Sequence, residues 1–253
     1  MNRITARMRA KSVRLHAAVD GNLKPIMTGW FVLAIVASVI RVMVSPLQKA
    51  PDMSTVMPYL LLVGGPLLSM AFALHWFRDG DREPYHGRRS YLPNRWRSLD
   101  PVEARAHPLY GPTGLMVSLL IGMLLNVPVR ALEYLAAMPA LAGQVPHWLA
   151  TLRLVMTIDV VLLTSLYTIA FVAALQKAPV FPRLLATVWI VDLSMQLVIA
   201  KSVAAAGGLP ADVGAALHAI LDGNVQKVLI SVAIWLPYLI LSNRVNVTYR
   251  HRI

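Results

Sequence analysis

Cysteine is absent from the 253 residues, so the chain makes no disulfide and offers no thiolate nucleophile or thiolate metal ligand. Charge is scarce. Asp, Glu, Lys and Arg together make up 14% of the chain, against about 25% in an average soluble protein. The familiar catalytic patterns are missing too: no His-Glu-x-x-His, no Gly-x-Ser-x-Gly and no phosphate-binding glycine loop occurs. His75, His107, His147 and His218 are scattered, and Ser165, Ser194 and Ser231 have no base beside them in sequence. No enzyme class and no cofactor is indicated.

What is present is apolar: 57% of the residues are hydrophobic. They gather into six long segments, roughly 26–45, 56–77, 113–132, 154–175, 184–206 and 226–241, each about long enough for the ~20 residues that cross a bilayer core. The pattern predicts an all-α, polytopic transmembrane bundle of six spans. Basic residues fall in alternate gaps. Of the 24 Lys and Arg, 18 lie in residues 1–25, in the linker 78–110, in the turn 176–183 or in the tail. The positive-inside rule puts those gaps and both termini in the cytoplasm.

A net charge of +12 would point to nucleic acid in a soluble protein. Beside a membrane the same charge holds orientation and meets anionic lipid, so the expected partner at this face is lipid and not nucleic acid. Residues 1–25 form a basic N-terminus that reads as a signal anchor and not a cleaved signal. Their first 19 residues contain no acid and place Ile4, Met8 and Leu15 near one helical face, as a surface-lying amphipathic helix would. The same composition also fits an organelle transit peptide. The linker holds Asp79, Asp81, Glu83 and His86, but without the glycine and closing glutamate of a calcium loop it reads as a solvated turn. Tyr91 and Trp96 interleave with the arginines that follow, as suits a segment at headgroup level.

The chain then divides into the N-terminus 1–25, a two-span extension 26–77, the linker 78–110 and a four-span module 111–253. Within the second span Gly65, Ser69 and Ala73 recur every four residues, a small-residue stripe that lets another helix approach. Thr28-Gly29 and Thr113-Gly114 open two spans alike and hint at a helix-pair repeat. Gly64-Pro66, Asn126-Pro128 and Pro237 interrupt three spans, and Pro66 is expected to kink its helix.

Polar groups inside the spans carry the chemistry. Arg41, Arg130, Asp159, Asp192 and Gln196 form the candidate intramembrane cluster. Counting ~1.5 Å per residue puts Asp192 near the midplane and Asp159 about 7 Å inside the outer end of its span. An isolated charge there costs a few kcal/mol, roughly 2.5–3.5 on the insertion scale, so these groups should face the bundle and pair. Asp192 or Asp159 with Arg41 or Arg130 is the expected pairing. It serves either as a structural ion pair or as a proton or substrate site.

Several separated pieces carry a family resemblance. His107-Pro-Leu-Tyr110-Gly111 with Gly114 opens the third span, and Pro128-Val-Arg130 closes it. Phe181-Pro182-Arg183 forms the turn between the middle helices. Ile234-Trp235-Leu-Pro237-Tyr238, then Ser242-x-Arg244-Val245 and Thr248-Tyr249, end the chain. In order and spacing, residues 107–250 resemble a bacterial inner-membrane family, the domain of unknown function 2569. The resemblance implies a four-span helical module in a bacterial inner membrane and implies no activity.

Three functional expectations follow. The first is a non-enzymatic scaffold or accessory subunit, whose small-residue face binds a membrane-protein partner or a second copy. Another is a small transporter or channel with a polar site around Asp192. The third is an intramembrane enzyme acting on lipid.

Overall fold

The computed structural model describes residues 3–46, 50–80 and 97–253. Lys49, Asp81, Arg82, Glu83, His86, Arg88, Arg89, Tyr91, Arg95 and Trp96 lie outside the described residues, as do the side chains of Arg3, Ile4, Arg7, Met8 and Arg9. Among the described residues there are nine helices: α1 (Arg3–Gly21), α2 (Leu23–Val44), α3 (Met53–Trp76), α4 (Pro101–Ala106), α5 (Leu115–Ala137), α6 (His147–Leu175), α7 (Phe181–Ala206), α8 (Ala211–Leu241) and α9 (Asn243–Arg250). Six of them, α2, α3, α5, α6, α7 and α8, are long and apolar enough to cross a membrane. The protein is an all-α, multi-pass membrane protein.

The bundle is built around α6. It is the most deeply buried span, with 67% of its apolar window inside the protein, and the run Ala170 to Leu175 is at most 3% exposed throughout. Helices α3, α5 and α7 pack directly on α6, while α2 lies against α3 and α5, and α8 against α7. The two outer helices bury little, 11% of the apolar window in each. Their exposed Val32, Val36, Ile40, Leu229, Ile230 and Ile234 form the surface that meets lipid. The extension and the module share one core, since Met70, Ala73 and Phe77 of the second span join Met116, Leu120 and Phe171 in the same apolar cluster.

Local signals set the helix ends. Asp52 caps α3: its carboxylate accepts from the Thr55 N–H at 2.9 Å and from the Ser54 and Thr55 hydroxyls. These donors hold its carboxyl down at about 2. Pro182 sits in the first turn of α7, where a missing N–H costs nothing. Gly207, at φ +67°, stops that helix in a conformation that disfavours side chains.

Two spans begin earlier than the apolar runs predict. α6 starts at His147 and α8 at Ala211, so the residues before the apolar run 226–241 are already the first half of a helix. Pro210 precedes it, Asp212 suits the positive helix start, and Leu217 and Leu221 bury one face at helical spacing. Polarity on the opposite face had masked the helix. Both Pro66 and Pro128 lie inside continuous helices. The suggested repeat also dissolves: Gly29 is inside α2, whereas Gly114 is the N-cap of α5 at φ +69°. Leu15, placed on an apolar face of α1, is 48% exposed.

The stripe of Gly65, Ser69 and Ala73 is engaged within the molecule. A Cβ on Gly65 would lie 3.2 Å from both the Ser165 hydroxyl and a Val161 methyl of α6, and Ala73 is fully buried. Gly64 faces open space. Gly65→Leu should therefore wedge α3 from α6 and cost about 1–3 kcal/mol, while Gly64→Leu should be nearly neutral. Thermal unfolding of the two variants in detergent measures the difference.

Candidate functional site

Between the two apolar clusters of the core lies a polar layer formed by α5, α6, α7 and α8. Helical spacing aligns its members. Asn126, Arg130 and Glu133 recur on one face of α5. Asp159 and Tyr167 lie two turns apart on α6, Asp192 and Gln196 one turn apart on α7, and Asn224 and Lys227 one turn apart on α8.

Arg130 is the hub. Its Nη2 donates to both oxygens of Asp192, at 2.9 and 2.7 Å, and its Nη1 donates to Asp159 Oδ2 at 3.2 Å. The Tyr167 hydroxyl donates to Asp192 Oδ2 at 3.0 Å. Gln196 Nε2 donates to the Asp192 carbonyl at 3.3 Å, and Asn224 Nδ2 donates to Gln196 Oε1 at 3.4 Å. Asp192 is completely enclosed, and Arg130 and Asp159 side chains are 12% and 7% exposed. Asp192 is satisfied on both oxygens. Asp159 is not: its Oδ1 is buried and finds no partner among the described residues.

Two cavities flank Arg130. The larger, about 470 Å³, is walled by α5, α6 and α8, with Tyr134, Met156, Asp159, Val160, Ile220 and Gly223 among its lining. The smaller, about 120 Å³, reaches Asn126, Tyr167 and Asp192. Both share Arg130, Glu133, Asn224 and Lys227, so together they make one cleft. Glu133 and Lys227 form an ion pair of 2.7 Å at its rim, where their side chains are 47% and 63% exposed. Among the described residues no group of three or more His, Cys, Asp or Glu is placed to hold a metal ion.

The expected cluster is thus partly brought together. Arg130, Asp159, Asp192 and Gln196 meet. Arg41 does not join them: its Nε donates to the Met138 carbonyl at 3.0 Å and its Nη2 to the Ala136 carbonyl at 3.3 Å. It caps the end of α5, where helix carbonyls lack donors and a cation is favoured. Asp159 lies 12 residues into α6, some 18 Å from its start, deeper than the apolar run implied. Lys227 is in the middle of α8. Tyr167 and Asn224 were not anticipated. Tyr167 gives no signal in a span where aromatic rings usually pack as core, and Asn224 lies just before the apolar run 226–241.

The residues that carry the family resemblance gather largely at the other end of the bundle, where both termini lie. Arg244 Nη1 donates to the carbonyls of Leu109 and Gly111 and to the Thr113 hydroxyl. The Gly111 N–H donates to Thr248 Oγ1 at 3.0 Å, and a Cβ on Gly114 would meet Arg244 Nε at 3.6 Å. Lys177 Nζ lies 5.4 Å from the Tyr110 ring centre. Tyr249 is fully buried against Phe181, with its hydroxyl donating to the Ala174 carbonyl at 2.8 Å. Trp235 and Tyr238 make an edge-to-face pair at 5.9 Å. Pro182 is buried beside this junction, Arg183 lies on the first turn of α7, and Pro237 sits inside α8.

Removing the hub leaves two buried carboxylates facing each other. Arg130→Met should destabilise the protein by about 3–5 kcal/mol. Asp159→Asn should cost about 1 kcal/mol or less, because Arg130 keeps both bonds to Asp192 and only one acceptor oxygen is lost. Denaturant unfolding in detergent micelles tests the ranking. No family model, no curated protein and no solved structure matches this chain.

Proposed function

We propose that the protein binds a small solute within the membrane, as a transporter or channel does, and that the site is the cleft around Arg130, Asp159 and Asp192. The observation that carries this reading is Asp159, which lines a cavity of about 470 Å³ while its buried Oδ1 finds no partner among the described residues. An ion pair whose only task is to fix helix register would be closed over, with every acceptor filled. Intramembrane ionisable groups that line a cavity are the usual mark of a solute or proton path. The exposed rim pair Lys227–Glu133 gives the cleft a mouth.

The scaffold reading draws on the small-residue stripe of α3. That stripe is already occupied by α6 of the same chain, so its support is weaker than the sequence implied. We place the protein in a bacterial cytoplasmic membrane with both termini inside and anionic lipid at the basic face. The supports are the distribution of 18 of the 24 bases and the resemblance to the domain of unknown function 2569 family.

The absence of cysteine makes the test direct. Gly223→Cys places a thiol on the cleft wall where a Cβ meets nothing within 4 Å. It should react with a small, charged, membrane-impermeant thiol reagent in intact membranes. Leu229→Cys, on the lipid face of the same helix, should react at least tenfold more slowly. Equal rates, or no labelling of Gly223→Cys, would remove the cleft as a water-accessible site.

A further inference from the structure

We infer that the ligand of this cleft is a small organic monocation with N–H donors, anchored on the Asp159 carboxylate. This rests on the reading of the cleft as a solute site and adds the chemistry of what it takes.

Charge gives the sign. Arg130 is one cation facing two carboxylates, and the rim pair Lys227–Glu133 balances itself. The layer therefore holds one more negative than positive charge, at a depth where an uncompensated charge is costly. A ligand bearing one positive charge completes it, and an anion would add to the excess.

Hydrogen bonding gives the donor character. Asp159 Oδ1 is buried, unpartnered and part of a residue on the cavity wall, while Oδ2 is already held by Arg130. On the other side of Arg130, Asn126 Oδ1 is likewise buried without a partner, in the smaller cavity of the same cleft. Both vacant positions are acceptors, so both ask for N–H or O–H groups. A bare metal ion suits the cleft less well. It takes about six oxygen ligands, and among the described residues no cluster of three or more His, Cys, Asp or Glu exists to supply them.

The walls give the body of the ligand. Tyr134, Met156, Val160 and Ile220 line the larger cavity beside Asp159. Sites for small molecules combine such apolar walls with a few fixed polar groups. A proton alone could neutralise Asp159 but would leave this apolar volume unfilled. An ammonium group on a compact apolar frame satisfies the oxygen, the charge and the walls together.

The test uses the full chain in lipid nanodiscs at pH 7 with three probes of one shape: benzylammonium, benzyl alcohol and benzoate. Calorimetry should show saturable binding of benzylammonium and at least tenfold weaker binding of the other two. Asp159→Asn should weaken benzylammonium at least tenfold, and Asp159→Glu should restore part of it. If Asp159→Asn fails to fold, Gly223→Leu fills the cavity from the facing wall without touching the ion pairs and should abolish binding. Ser194→Ala, on an exposed face of α7, should change nothing. Preference for benzoate or benzyl alcohol overturns the inference, as does benzylammonium binding insensitive to both Asp159→Asn and Gly223→Leu. Competitive displacement by sodium chloride against a choline chloride control would reassign the site to an alkali ion and also overturn it. If Gly223→Cys is labelled but no probe binds, the cationic ligand fails while the cleft stands. If Gly223→Cys is not labelled, the solute-site reading itself fails.

Discussion

One guanidinium holding two carboxylates in the interior of a membrane bundle is the constraint on which the rest depends. Each of the three charges would be costly alone at this depth, and the polar contacts are what make the arrangement tolerable. Arg130, Asp159 and Asp192 come from α5, α6 and α7, so a slip of any one helix by a turn would strand a charge in hydrocarbon. Apolar packing between helices tolerates such slips far better, since lipid tails are as apolar as leucine. The polar layer therefore fixes the register, and the apolar clusters above and below it fill in around a geometry already set.

Much of this was legible from the chain. Six apolar runs, the alternation of basic gaps and the few charges that break the alternation were enough to anticipate the spans and to single out Arg130, Asp159 and Asp192. What stayed hidden has physical causes. Arg41 and Arg130 look equivalent in sequence, because backbone carbonyls that need a donor leave no trace in residue identity. The end of α5 took Arg41, leaving Arg130 to serve both acids. Half of α8 was invisible because one face of residues 211–224 is polar, and hydropathy averages over faces. The stripe on α3 could be seen, but its occupant could not, since the same small residues serve a neighbour within the chain or one outside it.

The end of the bundle where the C-terminal tail packs obeys a different logic. There Asn246, buried in α9, donates to the carbonyls of Ile240 and Ser242 and accepts from Arg250 and Arg252. The last residue pairs its backbone with Arg97, and the Leu99 N–H donates to the His251 carbonyl at 2.8 Å. Chain ends usually fray unless tied down. This one is tied to the segment that follows the basic linker, so the tail and the start of α5 form a single unit through Arg244, Gly111 and Thr248.

The cleft has four helical walls, and they are not equally held. α6 is the most deeply buried of the spans, and α5 and α7 are pinned to it through Arg130 as well as by packing. α8 buries only Leu217, Leu221, Val228 and Leu239 among its 31 residues, and its far end leaves α7 through Gly207 and Gly208, both at positive φ. Its near end runs straight into α9 and the tied tail. Moving α8 away from the cleft thus exposes less apolar surface than moving any other wall, and among the described residues it breaks on the cleft side the weak Asn224–Gln196 bond and the solvent-exposed Lys227–Glu133 pair. In mechanical terms the molecule is a three-post frame with one light door, latched on its polar edge and hinged at the side where the termini lie.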